Sequence, residues 1–439
     1  MSEMHTTSAQ SVVVGFAGMT HLGIVSSASV AAKGFRTVCY DPAEPTIARL
    51  VAGDIPVIEP DLDDLIRANG ERQVFTADLA RLAECDVVYI STDVPTDDAG
   101  QSDLTGILAL LGRVGGVLKP GAVLVILFQA PPGFSRALRV APHARLYYQV
   151  ETLVFGRAVQ RALHPERTIV GCADPDAPIE PRYLAVLSAF GCPILPMRYE
   201  SAELAKIAIN CCLVSSISVA NTLSEICENI GADWSEIVPA LKLDARIGPQ
   251  AYLAPGLGIA GGNLERDLAT VVALSERHHT DGGVVRAWIA NSKLRRDWAA
   301  RTIRSALLDA KPHAKIAVWG LAYKENTHSI KNSPSLATIA ALPEADFIVH
   351  DPVVSADVVP HAHVAAGDDP LSILADAEAL LILTPWPQYR ALTADAVARN
   401  MRGRIVVDPY SVLAPKAAKE AGLDHYCLGA PRQAAHEKA

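Results

Sequence analysis

From Val12 onward, apolar runs of strand length alternate with helix-patterned segments: Val12 to Ala17, Thr37 to Tyr40, Val87 to Ser91, Ala122 to Phe128 and Thr168 to Gly171. Apolar runs separated by helical crossovers belong to parallel sheets covered on both faces. A second set repeats the rhythm in Lys315 to Gly320, Phe347 to His350, Ala379 to Thr384 and Ile405 to Asp408. The chain is therefore expected to be an α/β protein of two Rossmann-like, doubly wound parallel-sheet domains. Between them, Tyr199 to Ile230 contains no Pro or Gly. As one helix it would run roughly 45 Å and join the sheets.

Composition narrows the function classes. With 439 residues the chain is long enough for two or three domains. Its 39 basic and 48 acidic side chains leave a net charge of -9, which gives no electrostatic footprint for nucleic acid. The eight cysteines show no CxxC pair, so neither a disulfide frame nor a metal site is indicated. A reducing, cytoplasmic setting is expected. No run of about 18 apolar residues is expected in the chain, and no membrane partner.

The first apolar run ends at Gly18, a helical pattern opens over Thr20, His21, Leu22 and Gly23, and Asp41 closes the second run. This is a dinucleotide-binding layout. Glycine lets the backbone approach a pyrophosphate at a helix N-terminus, and an acid about 20 residues on binds ribose hydroxyls. An acid there would repel a 2'-phosphate, so NAD is the expected cofactor. The side chain of His21, like Cys211 and Cys212, has no role beyond packing on this reading.

In the long helical segment Lys206 and Asn210 stand four apart and share a face. Lys206 reads either as a lysine whose stem reaches solvent or as a buried proton acceptor or oxyanion stabiliser. The Gly- and Pro-rich stretch Pro239 to Asp267 reads as a ligand loop, with Asn263 capping a helix that begins at Leu264.

Taken in order, these segments resemble the UDP-glucose/GDP-mannose dehydrogenase family across nearly the whole chain. The resemblance is carried by Glu200-Ser201-Ala202-Glu203-Leu204-Ala205-Lys206 through Asn210, the loop Asp244 to Asp267, and His164-Pro165-Glu166-Arg167-Thr168-Ile169-Val170-Gly171. It continues in Gly320-Leu321-Ala322-Tyr323-Lys324, Asn326-Thr327, Ser333-Pro334, His350-Asp351-Pro352 and Thr384-Pro385-Trp386. It implies an NAD-binding domain over 12–198, a central helical dimerisation domain over 199–300 and a nucleotide-sugar-binding domain over 301–430. A disordered start, 1–11, and a tail, 431–439, flank these.

By position the resemblance implies Lys206, Asn210, Asp267 and Glu151 as catalytic residues, with Asn263 beside them. Thr92 and Gln129 join the cofactor residues. Arg246, Tyr252, Gly258, Gly261, Tyr323, Lys324 and Tyr410 become substrate residues, Arg246 reaching into the neighbouring subunit of a homodimer built on the central helix. Family members usually oxidise a sugar alcohol to the acid in two hydride transfers, the second through a cysteine thiohemiacetal. That cysteine falls at Asn263, and an amide forms no such adduct. Further departures are Gln129 for Thr, Phe155 for Glu, Ser329 and Lys331 for Asp and Arg, and Tyr410 for Arg. The leading expectation is one two-electron oxidation of a nucleotide-sugar alcohol to a ketone or aldehyde. The alternatives are a four-electron 6-dehydrogenase, an epimerase, and an inactive binder of NAD and nucleotide sugar.

Overall fold

The computed structural model describes residues 12–95, 97, 102–140 and 143–431. The expected disordered start, and the tail beyond residue 431, lie outside the described residues. The chain forms two compact units that meet in sequence between Ile209 and Asn210.

The first unit is built on an eight-stranded sheet of order β3-β2-β1-β4-β5-β6-β7-β8. β1 is Val13–Ala17, β2 Arg36–Tyr40, β3 Gln73–Thr76, β4 Val87–Ile90, β5 Val123–Ile126, β6 Arg145–Gln149, β7 Thr168–Cys172 and β8 Ile194–Arg198. Pairing is parallel except between β6 and β7, so β7 and β8 run against the rest. The central strands β4 and β5 are buried along their whole length, as continuous apolar runs require.

The second unit carries a six-stranded, all-parallel sheet of order β11-β10-β9-β12-β13-β14. β9 is Lys315–Trp319, β10 Asp346–His350, β11 Val364–Ala366, β12 Ala379–Ile382, β13 Ile405–Val407 and β14 Asp424–Tyr426. Both sheets thus have the order 3-2-1-4-5-6 around their first strand, which is the doubly wound dinucleotide-fold arrangement.

The spine helix runs over Tyr199–Ile230, the bounds expected from the absence of Pro and Gly. By length and apolar composition it meets the requirement for a membrane span, a feature the sequence reading did not expect. Several of its buried polar groups are nonetheless bonded within the protein. Glu203 accepts from backbone amides, Asn210 donates to Asp267, Asn221 accepts from Gly256, and Glu228 pairs with Arg295 and Trp298.

Candidate active site

In the first unit the turn after β1 has the shape a dinucleotide needs. Gly18 adopts φ +103°, and a Cβ there would stand 2.8 Å from Cβ of Thr92. A Cβ on Gly23 would lie 1.9 Å from the Gly18 carbonyl oxygen, so only glycine lets the helix His21–Ala32 start so close to the strand. Thr20 stands at the N-cap of that helix, but its side chain makes no capping bond. Its hydroxyl accepts from Asp93 N–H at 2.9 Å, tying the turn to the end of β4. The first-turn N–H groups of His21, Leu22 and Gly23 have no partner within the helix and so can face a pyrophosphate. Asp41 accepts from Met19 N–H at 2.8 Å and from Ala43 N–H at 2.9 Å, which fixes both oxygens and leaves lone pairs for a ribose. These residues fit NAD.

The acid at the same place in the second unit is held differently. Gly320 repeats Gly18, with φ +95° and its N–H on the His350 carbonyl, as Gly18 bonds Tyr40. Asp351 stands where Asp41 does. It accepts from Leu321, Ala322, Val353 and Val354 N–H and from the Trp386 indole, all at 2.7 to 3.1 Å. Five donors saturate its lone pairs, so Asp351 is structural where Asp41 remains able to accept.

The ring of His21, at the start of the cofactor turn's helix, is held by Glu59 and Phe155. Nε2 lies 2.8 Å from Glu59 Oε1, and the ring stacks on Phe155 at 4.2 Å. Glu59 also accepts from Gly156 and Ala158 N–H at 2.9 and 3.1 Å. Burial pushes this carboxyl up, but His21 and the two amides outweigh it and hold it below the ordinary carboxylate range. Glu59→Ala, which strands two amides and the imidazole, is expected to destabilise the protein by about 3 kcal/mol at pH 7 in urea melts. Since the folded pKa is depressed, the contribution is present above the unfolded pKa of about 4.3 and is lost as pH falls through the folded value. The gap between Glu59→Gln and the unaltered protein should close over that range.

Two polar clusters occupy successive turns of the spine helix. In the first unit Lys206 Nζ lies 3.7 Å from Glu151 Oε2, and their side chains are 13% and 21% exposed. Lys206 is therefore an ion-paired, partly accessible lysine. Glu151 also accepts the Leu153 N–H. One turn before Lys206, buried Glu203 accepts from Gly133 and Ser135 N–H at 2.6 and 2.7 Å, anchoring the turn that follows Gln129. Glu203 belongs to the motif Glu200 to Lys206, whose residue types do not reveal this role. A pocket of the first unit is walled by Glu151, Thr152, Gln149 and Arg161 against Ser26 and Ser29 of the first helix.

In the second unit Asn210 Nδ2 donates to Asp267 Oδ2 at 2.5 Å, both residues being buried. Arg266 Nε lies 3.5 Å from the other oxygen, Asp267 Oδ1. Cys211 adjoins this cluster. Burial pushes its thiol up, and the charge of Asp267 pushes it further.

Asn263 is not the expected cap. It is the first residue of the helix Asn263–His278, whose N-cap is Gly262 at φ +89°. Glu265, in the first turn, reaches back to accept the Gly262 N–H at 3.0 Å. That frees the Asn263 amide, which is exposed and makes no hydrogen bond among the described residues.

Glycines of the loop serve packing. A Cβ on Gly258 would stand 2.4 Å from the Ser292 carbonyl oxygen, so glycine lets the loop close on the helix Gly283–Arg296. A Cβ on Gly261 would meet the Tyr323 ring at 2.8 Å. Tyr323 thus lies on the loop, with Lys324 Nζ 5.6 Å from its ring centre. Tyr410 comes within 4.0 Å of the Cβ position of Gly256, and burial raises its phenol despite the adjoining Leu257 backbone. Tyr252 is exposed, and Arg246 is exposed and held by Asp244 at 2.6 and 3.0 Å.

Two doubly wound folds, one with a complete cofactor turn, fit an NAD-dependent oxidoreductase, and the comparisons make it a nucleotide-sugar dehydrogenase. The chain belongs to the UDP-glucose/GDP-mannose dehydrogenase family. Residues 12–184 match that family's NAD binding domain, 200–292 its central domain and 317–415 its UDP binding domain. A UDP-glucose 6-dehydrogenase of Pseudomonas aeruginosa is 29% identical, over 96% of this chain and 98% of that one. Another, of Bacillus subtilis, is 28% identical over 94% and 92%. A UDP-glucose dehydrogenase structure from Pyrobaculum islandicum superposes with TM-score 0.83 at 25% identity, covering 97% of this chain and 100% of that chain. A UDP-D-ManNAc dehydrogenase from Pyrococcus horikoshii, at 22% identity, shares the fold with TM-score 0.81 over 95% and 99%.

Proposed function

We propose that this enzyme removes one hydride from an alcohol carbon of a nucleotide-diphosphate sugar and releases a ketone or aldehyde. What carries this reading is Asn263, an exposed, unbonded amide that the resemblance aligns with the family's thiol. The UDP binding domain match and the relatives' names favour uridine as the base. NAD, when bound, supplies the hydride acceptor. Lys206, charge-balanced by Glu151, donates to the substrate oxygen as it becomes an alkoxide. Asp267, locked by Asn210, holds a water that takes the hydroxyl proton, and Asn263 hydrogen-bonds a sugar hydroxyl. Cys211 adjoins Asp267, but a thiol pushed up by burial and a neighbouring carboxylate is a poor nucleophile.

A four-electron 6-dehydrogenase is the second reading, favoured by the names of the relatives. Carbon NMR of products from a panel of UDP- and GDP-sugars separates the two. A ketone or aldehyde carbonyl supports the first reading, and a carboxylate supports the second.

The enzyme would act as a homodimer. Val219, Leu223, Ile226 and Ile230 form a stripe on the spine helix and are 40% to 70% exposed, which a second copy would cover. Sedimentation should give a dimer, and Ile226→Glu a monomer with loss of activity, because Arg246 would then reach no neighbouring site. A monomeric, active unaltered enzyme would exclude this arrangement.

A further inference from the structure

We infer that Glu265 is a positioning residue that sets the Asn263 amide against the nucleotide-binding loop of the second unit. Its carboxylate takes donors from three separate segments. Oε2 accepts the Gly262 N–H at 3.0 Å and Asn332 Nδ2 at 2.6 Å, and Oε1 accepts Arg296 Nη2 at 3.0 Å. Arg296 Nη2 donates onward to the Ile259 carbonyl at 2.9 Å. The loop is also stitched directly, since Gly261 N–H donates to the Lys331 carbonyl at 3.0 Å.

The arrangement has a directional consequence. Gly262 precedes Asn263, Ile259 lies in the glycine loop, and Asn332 follows the segment with Tyr323 and Lys324. One side chain therefore fixes both the residue facing the sugar and the loop facing the nucleotide. Both Glu265 and Arg296 side chains are 24% exposed, so the pair is shielded enough to hold a fixed geometry. A cap alone would need only the Gly262 contact. Asn332 sits at φ +51°, a conformation that asparagine tolerates and that presents its side chain to Glu265.

This rests on the assignment of Asn263 to the sugar site, and the test separates the two. Steady-state kinetics with the nucleotide sugar that the wild-type enzyme turns over, and NAD titration by fluorescence, are measured for Glu265→Ala, Glu265→Gln, Asn263→Ala and the Glu265→Ala/Asn263→Ala double variant. Glu265→Ala is expected to lower kcat/KM for the nucleotide sugar about 100-fold, the scale of a misplaced reacting group. NAD affinity, set in the first unit, should stay within about twofold of wild type. Glu265→Gln, which keeps an acceptor oxygen, should recover about tenfold of the loss. In the Asn263→Ala background the Glu265→Ala effect should shrink to about tenfold, because the part acting through Asn263 is gone and only the part acting through the nucleotide loop remains. Full additivity, a kcat/KM for Glu265→Ala within about twofold of wild type, or an equal loss of NAD affinity from general unfolding would each overturn the proposal. The coupling is read on rate whatever the product, so an acid product would defeat the single-oxidation reading and leave this one standing.

Discussion

Replacing Lys206 by alanine is expected to lower kcat by about a thousandfold or more, with NAD affinity retained. The loss is that scale because a positioned ammonium stabilises charge that appears on the substrate oxygen only as the hydride leaves. Glu151, 3.7 Å away, would then be an uncompensated carboxylate beside the developing alkoxide. Lys206→Ala should therefore be worse than Lys206→Ala combined with Glu151→Gln, which removes the repulsion. Rapid-mixing absorbance at the NADH band reads both. A kcat within tenfold of wild type would show that Lys206 does not face the reacting oxygen.

Asn263→Cys is expected to change the product and not merely the rate. A thiol at this position would sit at a helix N-terminus, where the unpaired N–H groups favour a thiolate, and it would be exposed. If the oxidised carbon is a primary alcohol, the variant traps the aldehyde and passes a second hydride, so NADH per substrate rises from one to two. If it is a secondary alcohol, the product stays a ketone with one NADH, since no hydrogen remains on that carbon. The variant thus reports which kind of carbon is oxidised. Loss of the first oxidation as well would show that the amide serves the first step and does not simply stand where a thiol once acted.

Much of this fold can be read from the chain because its buried strands are continuous apolar runs. β1, β2, β4, β5 and β7 and the corresponding strands of the second sheet each declare themselves this way. β3, β6 and β8 do not. Arg145 of β6 is exposed, and β8, Ile194–Arg198, holds Pro196 and no fully buried residue. β3 and β8 are the edge strands, where polar or breaking residues remove the apolar signal, and β6, inside the sheet where the strand direction reverses, is bounded by Arg145 and Gln149.

At the site, the sequence names residue types but not their partners. Lys206 and Asn210 could be paired because helix geometry makes i and i+4 neighbours. Glu59 could not be tied to His21 and Gly156, 38 and 97 positions away. The cap shows the same limit. Asn before an apolar run is a sound cap signal, yet Glu265 and a left-handed Gly262 supply the cap one residue earlier. The one signal that would have revealed it is the Glu in the helix's first turn, read as half of a capping box.

The decisive measurement is the number of NADH formed per nucleotide sugar consumed in a single turnover, taken with the mass of the product. One NADH and a loss of two hydrogens is the expected result, and it makes Asn263 the residue that ends the reaction after one oxidation. Two NADH with gain of an oxygen would mean that the enzyme completes a four-electron oxidation without a thiol at this position, contradicting the single-oxidation mechanism.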